Sequence, residues 1–321
     1  MSQRIAIIGA GASGVISSRG TCSFSPTLYD AKSDGAAPFE DHRAVLRLRD
    51  PKTAILLGCD VESVVVDKAV YCDGRLHTKT DLRMNNLYSL KTTGELGRKS
   101  ISELGKCQRY IMTGPPPQPT GTVHWNQRLK LVRSSGVYRQ LIFESGCQAE
   151  YDAAISTIPL PALAGACGIS VAPGLFKTNP IYVTTLEVCN PSSVHQTIYF
   201  PERRFWVYRA TLQNRTLIIE STADIEENER EEVINAFGLG CCRIKQLSTH
   251  TQKNGKMVSV SEDLRRQLIW EITDKFNIFS FGRFGVWKPL RMDQLPEDLD
   301  KIKRMISSKQ KQYQIQKERA T

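Results

Sequence analysis

Arg4-Ile5-Ala6-Ile7-Ile8-Gly9-Ala10-Gly11-Ala12-Ser13-Gly14 decides the fold of this chain. Residues 4–8 are a short, β-branched apolar run, suited to a strand buried on both faces. The GxGxxG that follows assigns each glycine a task. Gly9 permits the tight turn, Gly11 lets the backbone approach a pyrophosphate, and Gly14 lets the next helix pack closely on the strand. Ala12 and Ser13 open that helix, whose free N–H groups and positive dipole end favour phosphate. A second strand, Thr27-Leu28-Tyr29, ends at Asp30, 21 residues after Gly9. An acid at that spacing accepts hydrogen bonds from an adenosine ribose. The motif predicts a Rossmann-like α/β unit for a dinucleotide and does not choose between FAD and NAD.

Outward from this unit, Val45–Leu48 and Val64–Tyr71 read as strands, and Asp73-Gly74 as a two-residue hairpin turn. Residues 79–127 are polar, carry glycines at 94, 97, 105, 114 and 121, and contain Pro115-Pro116-Pro117. Irregular structure with short helices is expected there, along with substrate-facing loops. Strands are expected on either side of Ser134-Ser135-Gly136 and at residues 151–158, before Pro159. Residues 181–221 read as four antiparallel strands: 181–188, 195–200, 206–212 and 217–221. Helices follow at 226–237 and 262–276, the second with an apolar face of Leu264, Leu268, Ile272 and Phe276. A last buried strand, 278–281, runs into Gly282-Arg283.

The 321 residues, 40% apolar and 24% charged, are enough for one large domain or two intimate ones. No run of 18 apolar residues occurs, so no transmembrane helix is predicted. The N-terminus lacks the basic and apolar regions of a signal peptide, which makes a cytoplasmic location the expectation. Nine scattered cysteines without CxxC spacing argue against a disulfide framework or a zinc site, and the five histidines show no metal spacing. The adjacent Cys241-Cys242 pair reads as reduced, because neighbours in sequence rarely meet disulfide geometry. Of the net charge of +10, half lies in residues 299–321, where seven basic residues face Asp300 and Glu318. That segment reads as a solvated helix with a frayed end; the remaining charge suits a phosphate-rich substrate or nucleic acid.

The GxGxSG start, the DAAISTIP segment at 152–159 and the FSFGRFGVWKPLRMDQ segment at 279–294 together resemble the FAD-binding segments of UDP-galactopyranose mutase and amine-oxidase-like flavoproteins. The resemblance covers about a third of the chain and implies FAD as the cofactor. It implies a discontinuous FAD-binding domain from residues 1–45, 128–165 and 277–310. A second, largely antiparallel β-sheet substrate domain would take 46–127 and 166–276, with 311–321 a basic tail. Gly9, Gly11, Ala12, Ser13 and Gly14 would then face the pyrophosphate and Asp30 the ribose. Arg283 would approach the flavin or its phosphates, and Met292 and Asp293 would offer backbone groups to the ribityl chain and ring edge. The stretch 195–221 is similar to the mutase segment whose Tyr and Arg bind a substrate diphosphate, which would place Tyr199 and Arg209 at the substrate. Where the family follows the ribose-binding acid with Gly-Gly, this chain has AKSDGAAPFEDHR after Asp30.

Further candidates come from the residues alone. Arg209 and the Arg203-Arg204 pair offer forked donors suited to phosphate, with Tyr208 beside them, against the simpler reading that they face solvent on a sheet. Lys91 and Tyr88 lie in a stretch dense in hydrogen-bonding groups, where either could contact flavin N5 or substrate; the simpler reading is a solvated loop. His42, within Asp41-His42-Arg43, is an acid–base candidate. Three functions fit: an FAD-dependent oxidoreductase or mutase-like enzyme on a phosphate-bearing or nucleotide-linked substrate; a flavin enzyme modifying a base in DNA, as in virus-encoded hypermodification; and a non-enzymatic flavin-binding regulator.

Overall fold

The computed structural model describes residues 3–33, 48–97, 100–101, 103–114, 117–135 and 138–320, without the side chains of 190–192 and 310–320. In chain order the first half contains β1 (Ile5–Ile8), α1 (Ala12–Gly20), β2 (Thr27–Tyr29), α2 (Lys52–Leu57), β3 (Asp60–Cys72), β4 (Arg75–His77), α3 (Leu82–Thr93), β5 (Gly105–Thr113), β6 (Thr122–His124), β7 (Leu129–Ser135), β8 (Tyr138–Phe143) and β9 (Gln148–Glu150). The second half contains β10 (Ala153–Ser156), α4 (Leu160–Ala166), β11 (Thr178–Tyr199), β12 (Val207–Ser221), α5 (Glu227–Ala236), β13 (Ile244–Met257), α6 (Glu262–Phe276), β14 (Ile278–Ser280), α7 (Gly282–Gly285) and α8 (Leu295–Ala320).

Five short strands form an all-parallel sheet in the order β14-β10-β1-β2-β6. Its two faces follow from the alternation of side chains along each strand. Ile5, Ile7, Leu28, Ile155 and Phe279 pack with Val15 and Ile16 of α1, Ala54 and Leu57 of α2, and Leu299 and Ile302 of α8. Ala6, Ile8, Tyr29, Ala154 and Ile278 face the other way, onto Leu141 and Phe143 of the antiparallel sheet β7-β8-β9, and onto α4 and α6. Both faces are covered, which is why these strands read as apolar runs rather than alternating ones.

The second sheet has the order β12-β11-β3-β4, with β13 also paired to β11 and β5 to β3. Every pairing is antiparallel except β11 with β3. Helix α3 packs on one face beside Val70, Ile181, Tyr208 and Ile218, and α5 covers the other, beside Leu186, Phe200 and Leu217. The mixed α/β class, with one parallel and one largely antiparallel sheet, matches the expectation. So does the β3–β4 hairpin, where Asp73 and Gly74 take φ of 53° and 74°.

Several expectations are corrected. The four strands expected over 181–221 are two long ones, because β11 runs through its register shifts near 187–196 without breaking from β12. Residues 79–127, expected as irregular structure with short helices, hold the helix α3 but also the strands β5 and β6. Helix α3 is set by its ends: the Asp81 carboxylate accepts from the Met84 N–H at 2.7 Å, and Gly94 closes the helix in the left-handed region at φ 80°. β6 joins the parallel sheet beside β2, and Leu48, Ala54 and Leu57 belong to the core beneath it. Residues 48, 54, 57 and 122–124, expected in the substrate domain, thus pack with the parallel sheet. Strand β13 gave no signal because most of its side chains are exposed and polar. Of the Val45–Leu48 run, Leu48 is described and bridges to Tyr110; residues 45–47 lie outside the described residues. Among the described residues, no helix is long and apolar enough to cross a membrane. None of the nine cysteines is in a disulfide.

Asp81→Ala removes the α3 cap and leaves the Met84 N–H without its acceptor. Denaturant titration should show a loss of about 1 kcal/mol; an unchanged midpoint would mean that the cap contributes nothing.

Candidate functional site

The carboxyl ends of all five parallel strands lie on one edge, where ligands of open α/β sheets bind. There the glycine turn is crowded from inside. Gly9 has φ +98°, and a Cβ on it would lie 2.5 Å from Thr157 Oγ1. A Cβ on Gly14 would sit 1.9 Å from the Gly9 carbonyl oxygen. Gly282, at φ +77°, closes from the far end of the chain: its Cβ would lie 2.2 Å from Ser13 Oγ. Gly11 differs, because a Cβ there would meet nothing within 4 Å and the residue is exposed. No packing inside the protein demands glycine at 11; approach by a ligand backbone-close would.

The first helical bond of α1 runs from the Val15 N–H to the Gly11 carbonyl at 3.0 Å. The N–H groups of Ala12, Ser13 and Gly14 therefore have no helical acceptor, and α1 has neither a side-chain cap nor an acid in its first turn. Asp30 stands at the end of β2, as expected. Its carboxylate accepts from the Ala10 N–H at 2.5 Å and the Lys32 N–H at 2.8 Å, which aims it at the glycine turn and leaves acceptor capacity for hydroxyls. These residues fit the pyrophosphate and ribose of a dinucleotide.

Arg283 follows Gly282 directly and turns toward the second sheet. One of its terminal nitrogens donates to the Gly255 carbonyl on β13, and its buried Nε has no partner among the described residues. Burial, and then the neighbouring Arg209, pull its pKa below the ordinary guanidinium range. Arg209 on β12 lies across from Tyr199 on β11 and grips Glu220 through both Nε and Nη2, the latter at 2.7 Å. Tyr208 donates its hydroxyl to the same carboxylate at 2.9 Å. Burial alone would raise the Glu220 carboxyl; Arg209 overrides it and holds it below the usual range. Tyr88 of α3 meets Tyr199 and Tyr208 edge-on, with ring centroids 5.6 and 6.2 Å away. Lys256 of β13 completes the group, with Nζ 4.3 Å from the Tyr208 ring centroid. Arg209 and Lys256 thus lie beside one carboxylate, with Arg283 beside Arg209, and Arg209 keeps 31% of its side-chain exposure. Together these basic side chains form a cluster against the rings of Tyr88, Tyr199 and Tyr208.

The structure brings Tyr199, Arg209 and Arg283 together and separates other candidates from them. Lys91 lies in α3, not in a loop, and donates to the carbonyls of Phe200 at 2.7 Å and Val207 at 3.0 Å. Its charged neighbours are Glu229, Glu202 and Arg204, so it ties α3 to the second sheet rather than joining the Arg209 cluster. Arg204 pairs with Glu202 and Glu232 and covers the Phe205 ring, and Arg203 is exposed. Met292 offers its carbonyl to Thr53 Oγ1 at 3.1 Å, and Asp293 pairs with Arg291 at 3.0 Å; both lie in the turn that starts α8. His42 lies outside the described residues. Glu220 and Lys256 escaped the sequence reading: Glu220 sits in an apolar run, and Lys256 in a strand without periodicity.

No protein-family model and no curated protein sequence matches the chain. Solved structures do. The chain is similar to a reduced UDP-galactopyranose mutase at 14% identity and TM-score 0.68, covering 96% of this chain and 94% of that one. It is also similar to a putative protoporphyrinogen oxidase from Exiguobacterium sp. 255-15, at 12% identity and TM-score 0.61, covering 96% and 98%. A third likeness is a CLA-producing fatty acid isomerase from P. acnes, at 12% identity and TM-score 0.59, covering 95% and 98%. At these identities the likeness establishes the fold, over nearly the whole of both chains.

The two crowded and uncrowded glycines predict opposite outcomes. Gly14→Ala forces a Cβ into a backbone carbonyl and should cost about 3 kcal/mol or more in a denaturant titration. Gly11→Ala should keep the wild-type midpoint to within about 1 kcal/mol and instead weaken dinucleotide binding. Equal destabilisation of the two variants would remove the argument for a ligand at Gly11.

Proposed function

We propose that this protein is an FAD-dependent enzyme of oxidoreductase or mutase-like type, acting on a small substrate that bears a phosphate or a comparable dianion. The observation that carries the reading is the adjacency of Gly282 and Arg283. Gly282 closes against Ser13 at the glycine turn, and Arg283 lies in the electrostatic surroundings of Tyr208 and Arg209. One dipeptide therefore joins a dinucleotide cradle to a cationic cleft. Gly11 and the N–H groups of Ala12, Ser13 and Gly14 would hold the pyrophosphate and Asp30 the ribose. The fold shared with a mutase, an oxidase and an isomerase supports FAD over NAD. FAD supplies hydride, electron or nucleophilic flavin chemistry; the protein supplies position, charge and exclusion of water.

Arg209 and Arg283 would orient the anionic end of the substrate, Arg209 through the Nη1 that its grip on Glu220 leaves over. The tyrosines at 88, 199 and 208 would exclude water from one side. Cations that converge in a cleft suit a small ligand better than an extended duplex, for which positive charge along an exposed stripe is the usual mark.

Purified protein incubated with FAD and freed of excess should absorb near about 375 and 450 nm, the bands of oxidised flavin. A colourless protein would overturn the reading. In the flavin-loaded protein, Arg283→Met should retain the absorbance and bind pyrophosphate about tenfold more weakly, the loss of one charge-assisted hydrogen bond. Undiminished binding would remove Arg283 from the substrate site.

A further inference from the structure

The three basic side chains of this cluster are not equivalent. Arg209 is held by Glu220, and Arg283 by the Gly255 carbonyl. The Lys256 side chain has no hydrogen-bond acceptor among the described residues and rests over the face of Tyr208. Its backbone is fixed: residue 256 pairs with Asn179 of β11, and the preceding carbonyl is the one that receives Arg283. The groups that face it are Tyr208, Arg209 and Glu220 from β12, Arg283 from α7, and, one ring further, Tyr88 from α3. Glu220, the one acid of this set, already accepts from Tyr208 and twice from Arg209. The amine therefore feels two guanidiniums, while the nearby carboxylate is already bonded to Arg209 and Tyr208.

We propose that Lys256 is a proton-linked anion ligand, receiving a dianionic group of the substrate together with Arg209 and Arg283 and taking up one proton as it does so. This rests on the reading of the cleft as a site for an anionic substrate, and adds which residue couples that site to pH. The step is R–NH2 plus a solvent proton giving R–NH3+, with no other bond made or broken. Burial and the two guanidiniums pull the Lys256 pKa down to about 7, against the opposing pull of Glu220. Above that pH the empty cleft holds a neutral amine. A dianion placed beside it favours the ammonium, so binding draws in a proton; by reciprocity the dianion binds more tightly at lower pH. Affinity should fall by about tenfold for each unit by which the bound anion raises the amine's pKa. An arginine at this position would keep the charge without the proton exchange.

The probe is sulfate, a dianion across the whole range, titrated into FAD-saturated protein so that the dinucleotide cradle is filled. Proton uptake is read by an indicator dye in weak buffer, or by calorimetry in two buffers of different ionisation enthalpy. Wild type should take up close to one proton near about pH 8.5 and almost none near about pH 6, where the amine is already charged. Lys256→Arg should bind sulfate without uptake at either pH, and Lys256→Met should bind about tenfold more weakly near about pH 6, also without uptake. Sulfate binding by wild type without uptake, or uptake that persists in Lys256→Arg, overturns the proposal while leaving the anionic-substrate reading intact. Failure of FAD-saturated wild type to bind sulfate at either pH overturns both.

Discussion

Three distant parts of the chain meet at the glycine turn with no room for a β-carbon between them, and the rest of the structure is arranged around that contact. The Gly9 carbonyl and Gly14 are so close that the first helix lies directly on the first strand. Thr157, at the end of the middle segment, donates its hydroxyl to the carbonyls of Ile8 and Gly9 at 3.0 and 3.2 Å. Gly282, from the last segment, closes over Ser13. Close packing of this kind tolerates no added volume, so the order of the parallel strands and the entry angle of α1 are set together. It also leaves one edge of the turn open, at Gly11.

The second sheet depends on a different interaction. Glu220 is nearly buried on β12 and would be costly there unpaired; removal of one partner from such a pair typically costs about 3–5 kcal/mol. Arg209 and Tyr208 satisfy it from the same strand, and the charge left over belongs to Lys256 and Arg283. The stabilising ion pair and the proposed anion site thus share Arg209. Loss of Arg209 would disturb both, whereas Lys256 and Arg283 have fewer structural obligations.

The glycine turn and Asp30 were legible because their geometry is local: a turn, a helix start and the end of the next strand lie within thirty residues. Arg209, Tyr199 and Arg283 were named by type and by resemblance, and the structure places them near one another. Lys91 shows where residue type misleads. Its stretch looked like a polar loop, yet Asp81 and Gly94 cap it into a helix, and the amine is consumed by the carbonyls of Phe200 and Val207. Strand β13, which carries Lys256, had no alternation to read because both its faces are largely exposed.

The sequence by itself determined the dinucleotide turn, its acid and the parallel sheet, because glycine spacing, strand length and helix start are fixed by neighbouring backbone. It also determined that a second, largely antiparallel sheet follows. Tertiary structure alone decided which charges meet. Glu220, Lys256 and Arg283 come from β12, β13 and α7, and their separations along the chain carry no trace of the contact. Long-range strand pairing brought them together, and burial among opposing charges then shifted their pKa values.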